Sequence, residues 1–111
     1  MTRTVVIGDI HSRTGRDAVK QHLPKIKETY APDFLVANVD NAAHGIGVTK
    51  SVVEELFELG FDVLTGGDHI WSQKEMISAI DRYPNLLRPL NYPQETVPGK
   101  GIATVQKGNK T

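Results

Sequence analysis

Three short stretches of this chain place a carboxylate beside an imidazole or an amide: Gly8-Asp9-Ile10-His11, Asn38-Val39-Asp40-Asn41 and Gly66-Gly67-Asp68-His69. Oxygen and nitrogen donors of this mix, with no sulfur, suit Mn²⁺, iron, Mg²⁺ or Zn²⁺ and do not choose between them. Two such ions, about 3.5–4 Å apart and bridged by a carboxylate, activate a water and clamp a phosphoryl group for in-line attack. Three acids gathered without a cation would raise one another's pKa and strain the fold. The residue types therefore point to divalent-metal chemistry, provided that the three stretches meet.

The elements before them give the reason to expect that meeting. Arg3-Thr4-Val5-Val6-Ile7 is β-branched and apolar, as expected of a strand covered on both faces. Gly8 then allows a sharp turn. Phe34-Leu35-Val36-Ala37 and Phe61-Asp62-Val63-Leu64 repeat the pattern, each ending in one of the polar stretches. In an open α/β sheet, ligands collect outside the carboxyl ends of the strands. The expected fold is thus α/β: a mainly parallel sheet of three core strands with right-handed crossover helices and an irregular C-terminal strand.

Helical spacing of Val19, Leu23 and Ile26 predicts a first helix from about Gly15 to Thr29, opened by Thr14 and Asp17 as a capping-box variant and disturbed by Pro24. Its N-terminus near Thr14 and Gly15 is a place for an anion. A second helix carries Val52, Val53, Leu56 and Phe57, with Ser51 and Glu54 at capping-box spacing and Gly60 as its C′ residue. Ser72-Gln73-Lys74-Glu75 reads as a third capping box ahead of Met76, Ile77 and Ile80. Leu86 to Leu90 reads as a short extended piece, with Pro89 restricting Arg88, and Asn91 to Gly99 as a Pro-rich loop. Residues 101–106 alternate like a strand, and Lys107-Gly108-Asn109-Lys110 has the composition of a hairpin turn.

Composition narrows the class. The 111 residues suffice for one domain with a real core, and 13 basic residues balance 13 acidic ones, so the footprint of a nucleic-acid binder is missing. Without cysteine there are no disulfides or thiolate metal sites. No signal-peptide pattern opens the chain and no apolar run spans a bilayer, so a cytoplasmic protein is expected. Taken singly, each polar residue has an ordinary reading. Asp9 caps a loop, Asn38 ties its own loop, His22 and His44 sit in solvent, and Trp71 packs. No G-x-G-x-x-G follows the first strand, which argues against a dinucleotide binder.

The ordered set Gly8-Asp9-Ile10, Asn38-Val39-Asp40-Asn41-Ala42-Ala43, Gly67-Asp68-His69-Ile70-Trp71, Leu87-Arg88-Pro89 and Asn91-Tyr92-Pro93 resembles the N-terminal half of calcineurin-like metallophosphoesterases. The nearest branch is the bacterial YmdB-type one, which acts on cyclic-nucleotide phosphodiesters. That resemblance implies the first part of an αββα sandwich and a centre of two divalent ions. It places Asp9 on the first metal, Asp40 at the bridging acid, Asn41 and Asp68 on the second metal, and His69 at the leaving group or the phosphate. His11 matches the aspartate-x-histidine motif of the wider superfamily. The branch carries Glu where Asp40 stands and Asn where Asp68 stands. Val39 and His44 replace glycines, and Ser72 replaces an acid.

The family's further histidine ligands belong to a C-terminal half beyond the matched motifs, so two functions follow. The first is a metal-dependent phosphoesterase, hydrolysing phosphodiesters or phosphomonoesters by metal-activated water, completed by a second chain or working with a reduced metal site. The second is a non-catalytic, truncated homologue that binds a metal, a nucleotide or a protein. In either case the edge near Ile102 to Gln106 is expected to be covered in a homo-oligomer or by a partner chain.

Overall fold

A computed structural model describes residues 1–111. Strands β1 (Thr4–Ile7), β2 (Phe34–Asn38), β3 (Val63–Thr65) and β4 (Leu86–Leu87) form one sheet. They lie in sequence order, and every pair is parallel. Helix α1 (Ser12–Tyr30) joins β1 to β2, and α2 (Lys50–Glu58) joins β2 to β3. A short α3 (Glu75–Ala79), continued by a 3₁₀ turn over Ile80–Arg82, joins β3 to β4. This confirms the α/β parallel sheet and adds a fourth strand, only two residues long, where an extended piece was expected. No helix is long and apolar enough to cross a membrane.

One face of the sheet carries the core. Leu35, Ala37, Leu64 and Leu86 pack with Leu23 of α1, with Val52, Val53 and Leu56 of α2, and with Met76 and Ala79 of α3 in a single buried cluster. Leu56, Leu64 and Met76 are fully buried. Each such side chain contributes about 1.5–3 kcal/mol relative to exposure. The opposite face is much barer. Val6 is 66% exposed, so β1 is not covered on both faces as its composition suggested. A single strand's residue types do not say how many layers the sheet receives.

The segment that was expected to form a C-terminal strand crosses this second face. Residues 101–106 form no ladder, although their alternation is real: Ala103 and Val105 are half-buried while Ile102, Thr104 and Gln106 face solvent. Ala103 and Val105 share a groove with Phe34, Val36 and Val63. Hydrophobic period two has thus specified which side chains turn inward without specifying a hydrogen-bonded partner. The turn that follows forms as read, with Lys107 and Lys110 exchanging backbone hydrogen bonds of 2.8 and 3.0 Å. Lys107 Nζ reaches Asp62 at 2.8 Å, and Lys110 Nζ reaches Asp33 at 2.8 Å.

Helix starts differ from the capping patterns. Helix α1 begins at Ser12, three residues earlier than expected, with His11 as an N-cap that makes no side-chain bond, and runs through Pro24 without a break. Thr49, not Ser51, caps α2 by accepting from the Val52 amide, and Gly60 beyond its end has φ +106°. Glu75 does not close a capping box on its own helix. Its carboxylate accepts from the Lys50 amide at 2.9 Å and so caps α2 from outside. Short polar side chains at the right spacing have several donors within reach, and the tertiary one won here.

The terminal turn is tied to the sheet by a titratable group. Asp33 is held below the usual carboxyl range, first by the hydrogen bond from Lys110 and then by the Arg3 amide. Its ionised form is the one that grips the turn. The tie is therefore complete above the ordinary aspartate pKa of about 3.9 and is lost as pH falls through the lowered folded value. In an NMR titration, resonances of residues 107–110 are expected to shift with the Asp33 carboxyl below that ordinary range, and the transition should vanish in Asp33→Asn.

Candidate functional site

The carboxyl ends of β1, β2 and β3 lie side by side, and backbone bonds hold them there. Ile10 N donates to Asn38 O at 3.1 Å, Ser12 N to Asn41 O at 2.9 Å, and Val39 N to Thr65 O at 2.8 Å. Within this frame Asn38 turns back on its own loop, accepting from the Asp40 amide at 3.1 Å.

Asp40, nearly buried, faces the loop after β3. Its Oδ1 accepts from the backbone amides of Gly67 at 2.6 Å and His69 at 3.0 Å. Gly67 is needed for this approach, because a Cβ there would stand 2.7 Å from Asp40 Oδ2. Gly8 is not required in the same way: a Cβ on it would meet nothing within 4 Å. Asp40 Oδ2 lies 3.5 Å from His69 Nδ1.

Asn41 connects this pair to the first strand. Its Nδ2 donates to both oxygens of Asp9, at 3.1 and 3.2 Å. That leaves Oδ1 to face His69 Nδ1 at 3.0 Å. A carboxylate can only accept, so Asp9 fixes which end of the amide it meets. Asn41 Oδ1 then also needs a donor, which places the neutral imidazole's proton on Nδ1 and leaves Nε2 with a free lone pair. Asp68, largely exposed, has Oδ2 3.9 Å from that Nε2, beyond hydrogen-bond range.

Asp9, Asn41, His69 and Asp40 are thus joined in one polar chain, with Asp68 beside it. Donor atoms of Asp40, Asp68 and His69 all lie within 4.8 Å of one another. His11 turns elsewhere: Gly45 of the following loop stands against its ring, where an added Cβ would come within 3.2 Å of Nε2. Near it, Ser12, Arg13, Thr14, Arg16 and His44 line a polar cleft at the start of α1. Arg16 donates to Ala42 O at 2.6 Å and holds the 41–48 loop against the helix. Trp71 packs as expected, edge-on to Tyr92 with ring centres 4.9 Å apart.

The sequence did not disclose the amide clamp on Asp40, the bridge through Asn41 or the burial of Arg88. Only the Gly66-Gly67 pair hinted at the first, since glycine admits a close approach.

An all-parallel sheet with acids and an imidazole gathered at its C-terminal rim defines an α/β protein of the strand-end ligand-site type. The chain belongs to the family of YmdB-like proteins, whose model matches residues 5–111. A Bacillus subtilis protein named 2′,3′-cyclic-nucleotide 2′-phosphodiesterase is 45% identical over 108 residues, covering 97% of this chain and 40% of the relative. The crystal structure of a hypothetical protein from Thermus thermophilus superposes with a TM-score of 0.84 at 37% identity, over 96% of this chain and 41% of that one. A Mycoplasma pneumoniae structure described as a novel phosphatase gives 0.86 at 28%, over 96% and 39%. The chain therefore spans about two-fifths of the length of these relatives, and the family resemblance read from its motifs holds.

Asp40 is bonded within the chain while the Asp68 carboxylate is exposed, so their removal should differ in cost. Asp40→Ala strands two amides and is expected to cost about 1–3 kcal/mol. The exposed Asp68→Ala should stay within about 0.5 kcal/mol. Urea unfolding of the two variants checks the contrast.

Proposed function

We propose that this chain provides the N-terminal part of a metal-dependent phosphoesterase centre, acting on phosphodiesters or phosphomonoesters with cyclic-nucleotide phosphodiesters as the favoured class. The observation that carries the reading is the convergence of Asp40, Asp68 and His69 donor atoms within 4.8 Å, joined to Asp9 through Asn41. The donors fit divalent ions. They are carboxylate, amide oxygen and imidazole nitrogen, and Asp40 Oδ2 and the whole Asp68 carboxylate accept from no donor within the chain.

Asp9, Asp40, Asn41 and Asp68 would hold the ions, and His11 would join them only after its ring leaves Gly45. Divalent ions bound there would supply positive charge to the phosphoryl oxygens and acidify an attacking water. The remaining steps fall to the chain's own groups. Asp9 orients Asn41, and Asn41 holds the imidazole of His69 by its Nδ1 proton. Nε2, whose lone pair is free, would first take up a proton and then pass it to the leaving oxygen or share it with a non-bridging one, as general acid catalysis requires. The Gly67 and His69 amides keep Asp40 from swinging, which fixes the distance between the β2 and β3 ends.

The count of ligands within the chain is small for two ions. We infer that the rest come from a second chain or from a longer protein of which residues 1–111 form part, in keeping with relatives of which this chain covers about two-fifths. One observation favours a binding role without turnover: Asp40 already spends Oδ1 on two amides, leaving one oxygen for a bridging position.

Calorimetric titration with Mn²⁺ and hydrolysis of an aryl phosphodiester separate the two. The phosphoesterase reading expects binding tighter than millimolar and turnover that Asp9→Asn and Asp40→Asn each abolish. Metal binding with no turnover supports the binding module. Binding no tighter than millimolar rules out catalysis by this chain alone.

A further inference from the structure

Arg88 stands apart from the chemistry described so far. It is the one charged residue among the fully buried ones, at 3% exposure, and no carboxylate lies within ion-pair distance of it. Burying a guanidinium without a counter-charge is costly, because carbonyl dipoles only partly replace its hydration. Three carbonyls do part of that work. Nε donates to Pro98 O at 3.3 Å, and Nη1 donates to Pro89 O at 2.9 Å and Tyr92 O at 3.4 Å. Nη2 makes no hydrogen bond, yet it is not sealed off, since it is not among the side-chain atoms that are closed to solvent and lack a hydrogen bond.

The space beside Arg88 is a pocket of about 160 Å³, lined also by Lys100, Gln94, Tyr92, Leu90 and Ile102. Lys100 forms no ion pair either. Its backbone carbonyl accepts from the Arg88 amide at 2.9 Å, so the two cationic residues are fixed side by side just beyond β4. Asp81, the acid that touches this loop, gives Oδ1 to the Gly99 amide at 2.9 Å. Two cations and an amide side chain thus line a small pocket to which no acid contributes. Leu90 and Ile102, 64% and 65% exposed, form an apolar border on it.

We propose that Arg88 and Lys100 form an oxyanion site that takes a phosphoryl group, either free phosphate or the phosphate of a nucleoside monophosphate. A guanidinium with an unused terminal nitrogen matches the edge of a phosphate, and the ammonium adds a second charge-assisted donor. Gln94 supplies a neutral donor. The apolar border gives an organic phosphate a surface that free phosphate does not use. This site lies outside the Asp9–Asp40–His69 group and does not depend on the proposed function of that group.

The test uses the full chain in EDTA at fixed ionic strength, titrated calorimetrically with inorganic phosphate and separately with adenosine 5′-monophosphate. Both are expected to bind, and tighter binding of the nucleotide assigns a role to Leu90 and Ile102. Equal binding identifies free phosphate as the ligand. Lys100→Ala changes an exposed side chain and keeps the backbone bond, so it should fold. It should weaken binding by about tenfold or more, the effect of losing one charge-assisted hydrogen bond. Asp9→Asn and the surface control Lys25→Ala should leave the affinity unchanged. Absence of binding by either anion overturns the proposal, as does a Lys100→Ala variant that binds like the parent. A change in affinity in Asp9→Asn, in either direction, overturns it too, because the anion would then sit beside the Asp9–Asp40–His69 group.

Discussion

The carboxylate of Asp40 bonded to the amides of Gly67 and His69 is the contact on which the rest of this rim depends. A parallel sheet brings strand ends level, but it does not determine the path of the loops that leave them. Here the carboxylate at the end of β2 captures two amides, two residues apart, of the loop after β3. Hydrogen bonds to an ionised acceptor are worth roughly 1.5–3 kcal/mol, against about 1 for a neutral pair. With His69 held by its own amide, its ring falls within reach of Asn41, and Asn41 reaches Asp9. These two bonds thereby set the geometry of four side chains. They occupy Oδ1 of the carboxylate and leave Oδ2 without a donor.

Around that rim the molecule is asymmetric. Three helices cover one face of the sheet and make the core, while the other face has only the extended 101–106 segment laid across it. That segment holds by lysine contacts to Asp33 and Asp62 at the far ends of β2 and β3 and by two inward side chains, Ala103 and Val105. Exposed Val6 marks what it leaves uncovered.

Much of the fold was legible because period and punctuation agreed. The β-branched runs became strands, Gly60 ended α2, and the three polar stretches did converge. Misreadings came where a short polar side chain had a choice of partner. Glu75 looked like a capping-box residue three positions after Ser72, yet it caps α2 from across the loop. Residues 101–106 had a strand's alternation, but an alternating pattern reports burial and not pairing. At the site, residue types singled out Asp9, His11, Asp40, Asn41, Asp68 and His69 as one candidate group. They could not show that Asn41 is the link, or that His11 turns toward Gly45, since side-chain direction depends on where α1 begins. Arg88 was visible as a residue restricted by Pro89 and as part of a family motif, and its burial follows from the loop that folds back to Pro98.

The clamp on Asp40 is open to direct observation. Amide hydrogen exchange of Gly67 and His69, followed by NMR in the metal-free chain, reads those two bonds one by one. The account predicts that both amides exchange slowly in the parent and at nearly unprotected rates in Asp40→Ala, while core amides such as Leu64 remain protected. Rapid exchange of Gly67 and His69 in the parent protein would contradict it, because the β3 loop would then be held by something other than Asp40.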